Sequence, residues 1–118
     1  FSSPGIPDLH GVFRGKNGYP VMFFAELKCS KMKKVALTPR QISWNYSYNE
    51  AGGLNFILVE TLPNRDLYIY SGGVARELSI TGIETEPLAI IPYPWDPGNL
   101  LGVLERFLHY RESCDSDT

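Results

Sequence analysis

The sequence predicts an α/β (α+β) fold, a mixed sheet flanked by helices, on three observations. Strand-like runs bounded by turn residues, such as 9–13 and 19–28 on either side of Asn17-Gly18, alternate with two segments read as helices, one from its cap and stop residues and one from apolar residues at helical spacing. One of those runs is apolar on both faces, which demands cover above and below. Hydrophobic residues make up 43% of 118, enough for one core and, at this length, for a single domain.

The elements follow in chain order. Leu9 to Phe13 is a first strand, and Asn17-Gly18 is the strongest short hairpin signal. The return strand, Tyr19 to Lys28, carries Val21, Phe23, Ala25 and Leu27 on one side and Met22, Phe24, Glu26 and Lys28 on the other, so it reads as a buried central strand. Lys31 to Leu37 is a basic loop. Thr38 offers an N-cap, Pro39 suits the first helical position and Gly52-Gly53 supply a stop, which places a helix over Pro39 to Ala51 with Ile42, Trp44, Tyr46 and Tyr48 packing inward. Leu54 to Leu62 and Leu67 to Tyr70 form a second hairpin about the Pro63-Asn64-Arg65-Asp66 turn, and Val74 to Ser79 makes one helical turn. Pro87 to Tyr93 is a last edge strand. Asp96-Pro97 opens a helix in which Leu100, Leu101, Leu104, Phe107 and Leu108 follow the helical period. The folded domain is expected over 1–110, with 111–118 a disordered tail.

Composition excludes several classes. The longest apolar run, Val21 to Ala25, is of strand length and far short of the ~18 residues of a membrane span. The start shows no secretory leader, and opening on Phe1 implies residues upstream. Cys29 and Cys114 make neither a disulfide framework nor a metal spacing, and are expected as free thiols in the cytoplasm of a bacterium or archaeon, or in a virus-encoded protein. The formal net charge of −2 hides an asymmetry. Residues 1–41 hold seven basic side chains against two acidic ones, a net of +5, whereas 42–118 hold four against eleven, a net of −7. The only acids of the basic third are Asp8 and Glu26. That pattern suits a surface that attracts polyanionic phosphate and keeps two carboxylates for metal.

Glu26 and Lys28, two apart on a strand, point to one face. A charged pair among aromatics is costly without a partner or a purpose. The hairpin brings the start of the first strand beside the end of the second, so Asp8 and Glu26 converge. Those two carboxylates, the Leu27 carbonyl and waters would hold Mg²⁺, or Mn²⁺ in its place. The ion would polarise a scissile phosphate and acidify a water, with Lys28 positioning that water or stabilising transition-state charge. A strand-end salt bridge is the bland alternative for Glu26–Lys28, and the addition of Asp8 at hairpin distance argues against it.

Gly5-Ile6-Pro7-Asp8-Leu9, the hairpin and Phe24-Ala25-Glu26-Leu27-Lys28 together resemble the PD-(D/E)xK nuclease superfamily, most of all its Holliday junction resolvases of the Hjc and RecU kind and its VRR-NUC nucleases. The resemblance continues through Leu37-Thr38-Pro39-Arg40-Gln41, where this group carries a helix-borne Gln, and to Ala51-Gly52-Gly53 before Phe56-Ile57-Leu58-Val59. It implies a restriction-endonuclease-like core and Mg²⁺-dependent hydrolysis of DNA, with Asp8, Glu26, Lys28 and Gln41 at the site. It further implies a homodimer acting on four-way junctions or other branched DNA. A flap or nick nuclease, and an inactive nucleic-acid-binding protein, are the rival expectations. The further Glu that the group brings from an N-terminal helix has no counterpart in these residues.

Other residues carry weaker signals. Thr38 and Gln41 also match a capping box. Lys31, Lys33 and Lys34 in the loop, Arg40 at the helix start, and Arg14 and Lys16 at the hairpin are expected to contact DNA backbone. His10 lies on Asp8's side of its strand and is expected as a polar residue at the sheet margin. Trp44, Tyr46 and Tyr48 could stack on bases, although packing is the commoner use of helix aromatics. Cys29 is expected as a small buried hydrophobe. Phe1, Ser2 and Ser3 are expected as a frayed terminus.

Overall fold

The computed structural model of the chain describes residues 7–116, with side chains as far as Ser113, so Phe1, Ser2 and Ser3 lie outside the described residues. Five strands form one mixed sheet in the order of the sequence: β1 (Leu9–Arg14), β2 (Pro20–Cys29), β3 (Leu54–Glu60), β4 (Leu67–Ser71) and β5 (Ala89–Ile91). β1 and β2 pair antiparallel with Leu9 opposite Ala25 and Arg14 opposite Pro20. β2 and β3 run parallel with Glu26 beside Ile57. A parallel neighbour needs a crossover, and helix α1 (Pro39–Glu50) supplies it. β4 and β5 add antiparallel edges.

Alternation along the strands sends apolar side chains to both faces. On one face Phe13, Phe23, Ala25, Phe56, Leu58 and Ile69 meet Leu104 and Leu108 of helix α3 (Pro97–Ser116). On the other, Ile57, Val59 and Tyr70 pack with Val35, and with Ala75 and Leu78 of helix α2 (Ala75–Thr81). The result is a sheet between helices, as the sequence predicts.

The differences from expectation have physical causes. The central strand is β3, buried from Leu54 to Val59, and not β2, whose Met22 and Leu27 are exposed because β1 is the only element beyond it. On α1 the fully buried residue is Asn45, while Tyr46 points to solvent. Leu101 of α3 is exposed as well. The expected tail is helical through Ser116. Arg111 donates from Nη1 to the Gly53 carbonyl at 2.9 Å, which clamps the last turns of α3 to the start of β3.

α1 ends where Gly52 takes φ +95°, a left-handed backbone that disfavours any residue with a Cβ. Gly72 has a different reason. A Cβ there would sit 1.9 Å from Asn55 Nδ2, so the backbone after β4 closes on a buried amide only because no side chain intervenes.

Candidate active site

β1 begins too late to pair with Leu27, and Asp8, the residue before it, takes up the exposed amide: Leu27 N–H donates to Asp8 Oδ2 at 2.9 Å. This bond places the Asp8 carboxylate beside Glu26. Glu26 itself is 1% exposed, on the face of β2 covered by α1. Its Oε1 accepts from Gln41 Nε2 at 3.1 Å, and its Oε2 is buried with no hydrogen-bond partner. Such an orphan costs on the order of 1–3 kcal/mol, more when charged. Desolvation first, then the neighbouring Asp8 carboxylate, push the Glu26 carboxyl up to about 7, against the opposing pull of Lys28 and Asn45.

Gln41 serves two ends. Its Oε1 accepts from the Thr38 amide at 3.0 Å while Thr38 Oγ1 accepts from the Gln41 amide at 3.1 Å, a complete capping box. Its Nε2 is thereby left pointing at Glu26. Capping and site contact, alternatives at the level of sequence, coexist in one side chain.

Behind this pair runs a buried amide chain. Asn45 Nδ2 donates to the Gln41 carbonyl at 2.9 Å, and Asn55 Nδ2 donates to the Asn45 carbonyl at 2.9 Å and to its Oδ1 at 3.1 Å. Asn49 Nδ2 then donates to Asn55 Oδ1 at 3.2 Å and to Ser71 Oγ at 3.3 Å. The chain locks α1 against β3 and thus holds Gln41 over Glu26. Sequence reasoning missed it. The available signal was Asn55 inside the apolar run Leu54 to Val59, together with Asn45 one turn beyond Gln41.

The predicted site residues therefore divide. Asp8, Glu26 and Gln41 meet, and Lys28 stands on the same face close enough to act on Glu26. Leu27 contributes its amide to Asp8. Arg40 is exposed in the first turn of α1, beside the site.

The basic loop is a closed turn: Lys31 and Lys34 exchange backbone bonds at 2.8 and 3.1 Å, and the Ile83 amide donates to the Lys33 carbonyl at 2.9 Å. Lys31 and Lys34 are exposed, while Lys33 pairs with Glu84 at 3.1 Å. Arg14 and Lys16 are at the turn end of the hairpin, six strand residues or roughly 20 Å from Glu26. The Lys16 amide donates to Glu112 Oε1 at 3.1 Å and its ammonium to Ser113. The structure does not bring these two to the site. His10 is exposed, its ring 5.9 Å from that of Phe24. Cys29 is exposed with a free thiol, not buried, because β2 reaches its end there.

Two adjoining carboxylates, one with a buried unpartnered oxygen, are hard donors of the kind that Mg²⁺ takes, since it commonly binds one or two carboxylates and completes its shell with water and phosphate. The residues present fit such an ion. Among the described residues no group of three or more His, Cys, Asp and Glu side chains gathers that could hold a metal; Asp8 and Glu26, with the Leu27 carbonyl expected beside them, are the donors here. No described helix is long and apolar enough to cross a membrane. Compared with protein-family models, curated proteins and solved structures, the chain matches none.

Proposed function

We propose that the protein is a Mg²⁺-dependent endonuclease of the PD-(D/E)xK kind that hydrolyses phosphodiester bonds in DNA. One observation carries the reading: Glu26, buried with an orphaned oxygen and a carboxyl pushed up to about 7, stands beside Asp8 in an otherwise basic stretch. A buried carboxylate beside a second carboxylate is stabilised by a bound cation, which offsets both the desolvation and the repulsion. The hairpin, the strand bearing Glu26 and Lys28, the crossover helix bearing Gln41 and the next core strand occur in the order expected of a restriction-endonuclease-like core.

Asp8 and Glu26 would hold Mg²⁺, or Mn²⁺ in its place, and the bound ion supplies Lewis acidity toward a phosphate and a more acidic water. Gln41 fixes Glu26 by its amide, so the carboxylate is preorganised. Lys28 places positive charge where phosphate charge grows in the transition state. Arg40, at the positive end of α1, attracts the phosphate backbone. Lys31 and Lys34 extend that attraction without reading sequence.

Branched DNA, four-way junctions above all, is the proposed substrate class, cut by a homodimer whose two-fold axis matches that of the junction. Flap and nicked duplexes are the second reading. Cleavage of a synthetic junction, a flap and a linear duplex, each with Mg²⁺ and with chelator, tests this. Mg²⁺-dependent cutting that is lost in Asp8→Asn and Glu26→Gln, with binding kept, is the expected result. Binding with no cutting under any metal condition would leave only an inactive nucleic-acid-binding protein.

A further inference from the structure

Helix side chains four apart share a face and lean toward the helix N-terminus. Arg40, Trp44 and Tyr48 form such a stripe on α1, on the side over the β1–β2 hairpin. Tyr48 lies at its inner end, so close to the backbone that a Cβ on Gly53 would be 2.2 Å from the ring. Trp44 stacks on Tyr48 at 4.9 Å and 14°, and Phe24 presents a ring to both at 5.1 and 5.2 Å. None of these three aromatics belongs to either buried core cluster. Trp44 thus stacks one face on Tyr48 and is only half-buried, so part of its ring system meets solvent. Arg40, one turn earlier on the same helix, is exposed, and among the described residues no cation lies over the Trp44 ring. Phe24 is two residues before Glu26 on β2, about 7 Å along the strand.

We infer that the outer face of Trp44 is a stacking platform for one unpaired nucleotide, whose phosphate is taken by Arg40 and Lys28. The inference rests on the nuclease reading of the adjoining carboxylates and sharpens its substrate: the strand is single-stranded beside the bond that is cut. A base in duplex has both faces stacked and cannot use the platform, whereas an unpaired base can, whatever its identity. Such a nucleotide exists in a flap, at a frayed end or at an opened junction.

The chain has two tryptophans, and Trp95, which donates to the Arg65 carbonyl at 3.1 Å, can be removed as Trp95→Phe so that Trp44 is the only reporter. In that background Glu26→Gln is mixed, in chelator, with a short oligodeoxythymidylate and separately with a blunt duplex of the same length. The single strand is expected to quench Trp44 emission and the duplex to leave it unchanged. Trp44→Ala is expected to weaken single-strand binding about 10-fold to 100-fold, with Trp44→Phe restoring most of it. Arg40→Ala is expected to lower the salt dependence of the same binding without abolishing the quench.

Equal quenching by duplex, or no quenching at saturating single strand, overturns the platform. Cleavage by the unsubstituted protein is scored separately. Cutting without quenching removes the platform and leaves the nuclease, whereas quenching without cutting supports the platform and removes catalysis.

Discussion

Replacing Glu26 by Gln exchanges a carboxyl that resists ionisation for an amide of nearly the same shape. In the metal-free protein the Glu26 proton is held up to about 7 against an ordinary 4.5, because burial and Asp8 both disfavour the charge. The folded state thus binds this proton more tightly than the unfolded chain does. Its stabilising contribution is complete below about 4.5, shrinks as the unfolded chain ionises, and is gone once pH passes about 7.

That interval corresponds to about 3 kcal/mol. The amide introduced by Glu26→Gln keeps a carbonyl for Gln41 and offers Asp8 a donor, and it carries no charge to desolvate. In chelator at about pH 8 the variant is therefore expected to be more stable than the natural protein by about 3 kcal/mol, a melting shift on the order of 10 °C. At about pH 4.5 the two should melt together. Mg²⁺ should then raise the melting temperature of the natural protein at the higher pH and leave the variant unmoved. Coincident melts at about pH 8, or the same gap at both pH values, would refute the account of Glu26 as a buried, uncompensated carboxyl.

The remaining expectations concern the supports of the site. Asn55→Ala leaves Asn45 Oδ1 without its donor and Asn49 Nδ2 with Ser71 Oγ alone; a loss of about 1–3 kcal/mol is expected from urea midpoints, and a loss under 1 kcal/mol would show the amide chain to be replaceable. Gly72→Ala drives a methyl into Asn55 and should cost about 2 kcal/mol in the same assay, with no change in m-value. Thr38→Ala removes one half of the capping box and should cost about 1 kcal/mol, measured by thermal melting. Gln41→Ala should cost a similar amount and in addition reduce cleavage, because Glu26 Oε1 loses the Gln41 amide that holds it; unaltered cleavage would reduce Gln41 to a cap.

Much of this was legible in the sequence because it is local. Asn17-Gly18 predicted the hairpin, and the hairpin predicted that Asp8 would stand beside Glu26. Thr38-Pro39 and Gly52 bounded α1 to within a residue. What escaped the sequence depends on which neighbour each residue meets. Nothing local says that β2 has only β1 beyond it, so Met22 and Leu27 looked like core. Asn45 was not among the helix residues expected to pack, because its partner, Asn55, arrives from another element. The terminal position of residues 111–118 suggested a tail, yet Arg111 finds the Gly53 carbonyl just before β3, 58 positions back along the chain.

The divided amide of Gln41 has a further consequence for how the molecule breathes. Its oxygen holds the first turn of α1 and its nitrogen holds Glu26, so unwinding that turn and releasing the carboxylate are one event. Helix ends are the first part of a helix to open, which makes local fraying and site disassembly share a single rate. Hydrogen exchange at the Thr38 amide would report both at once.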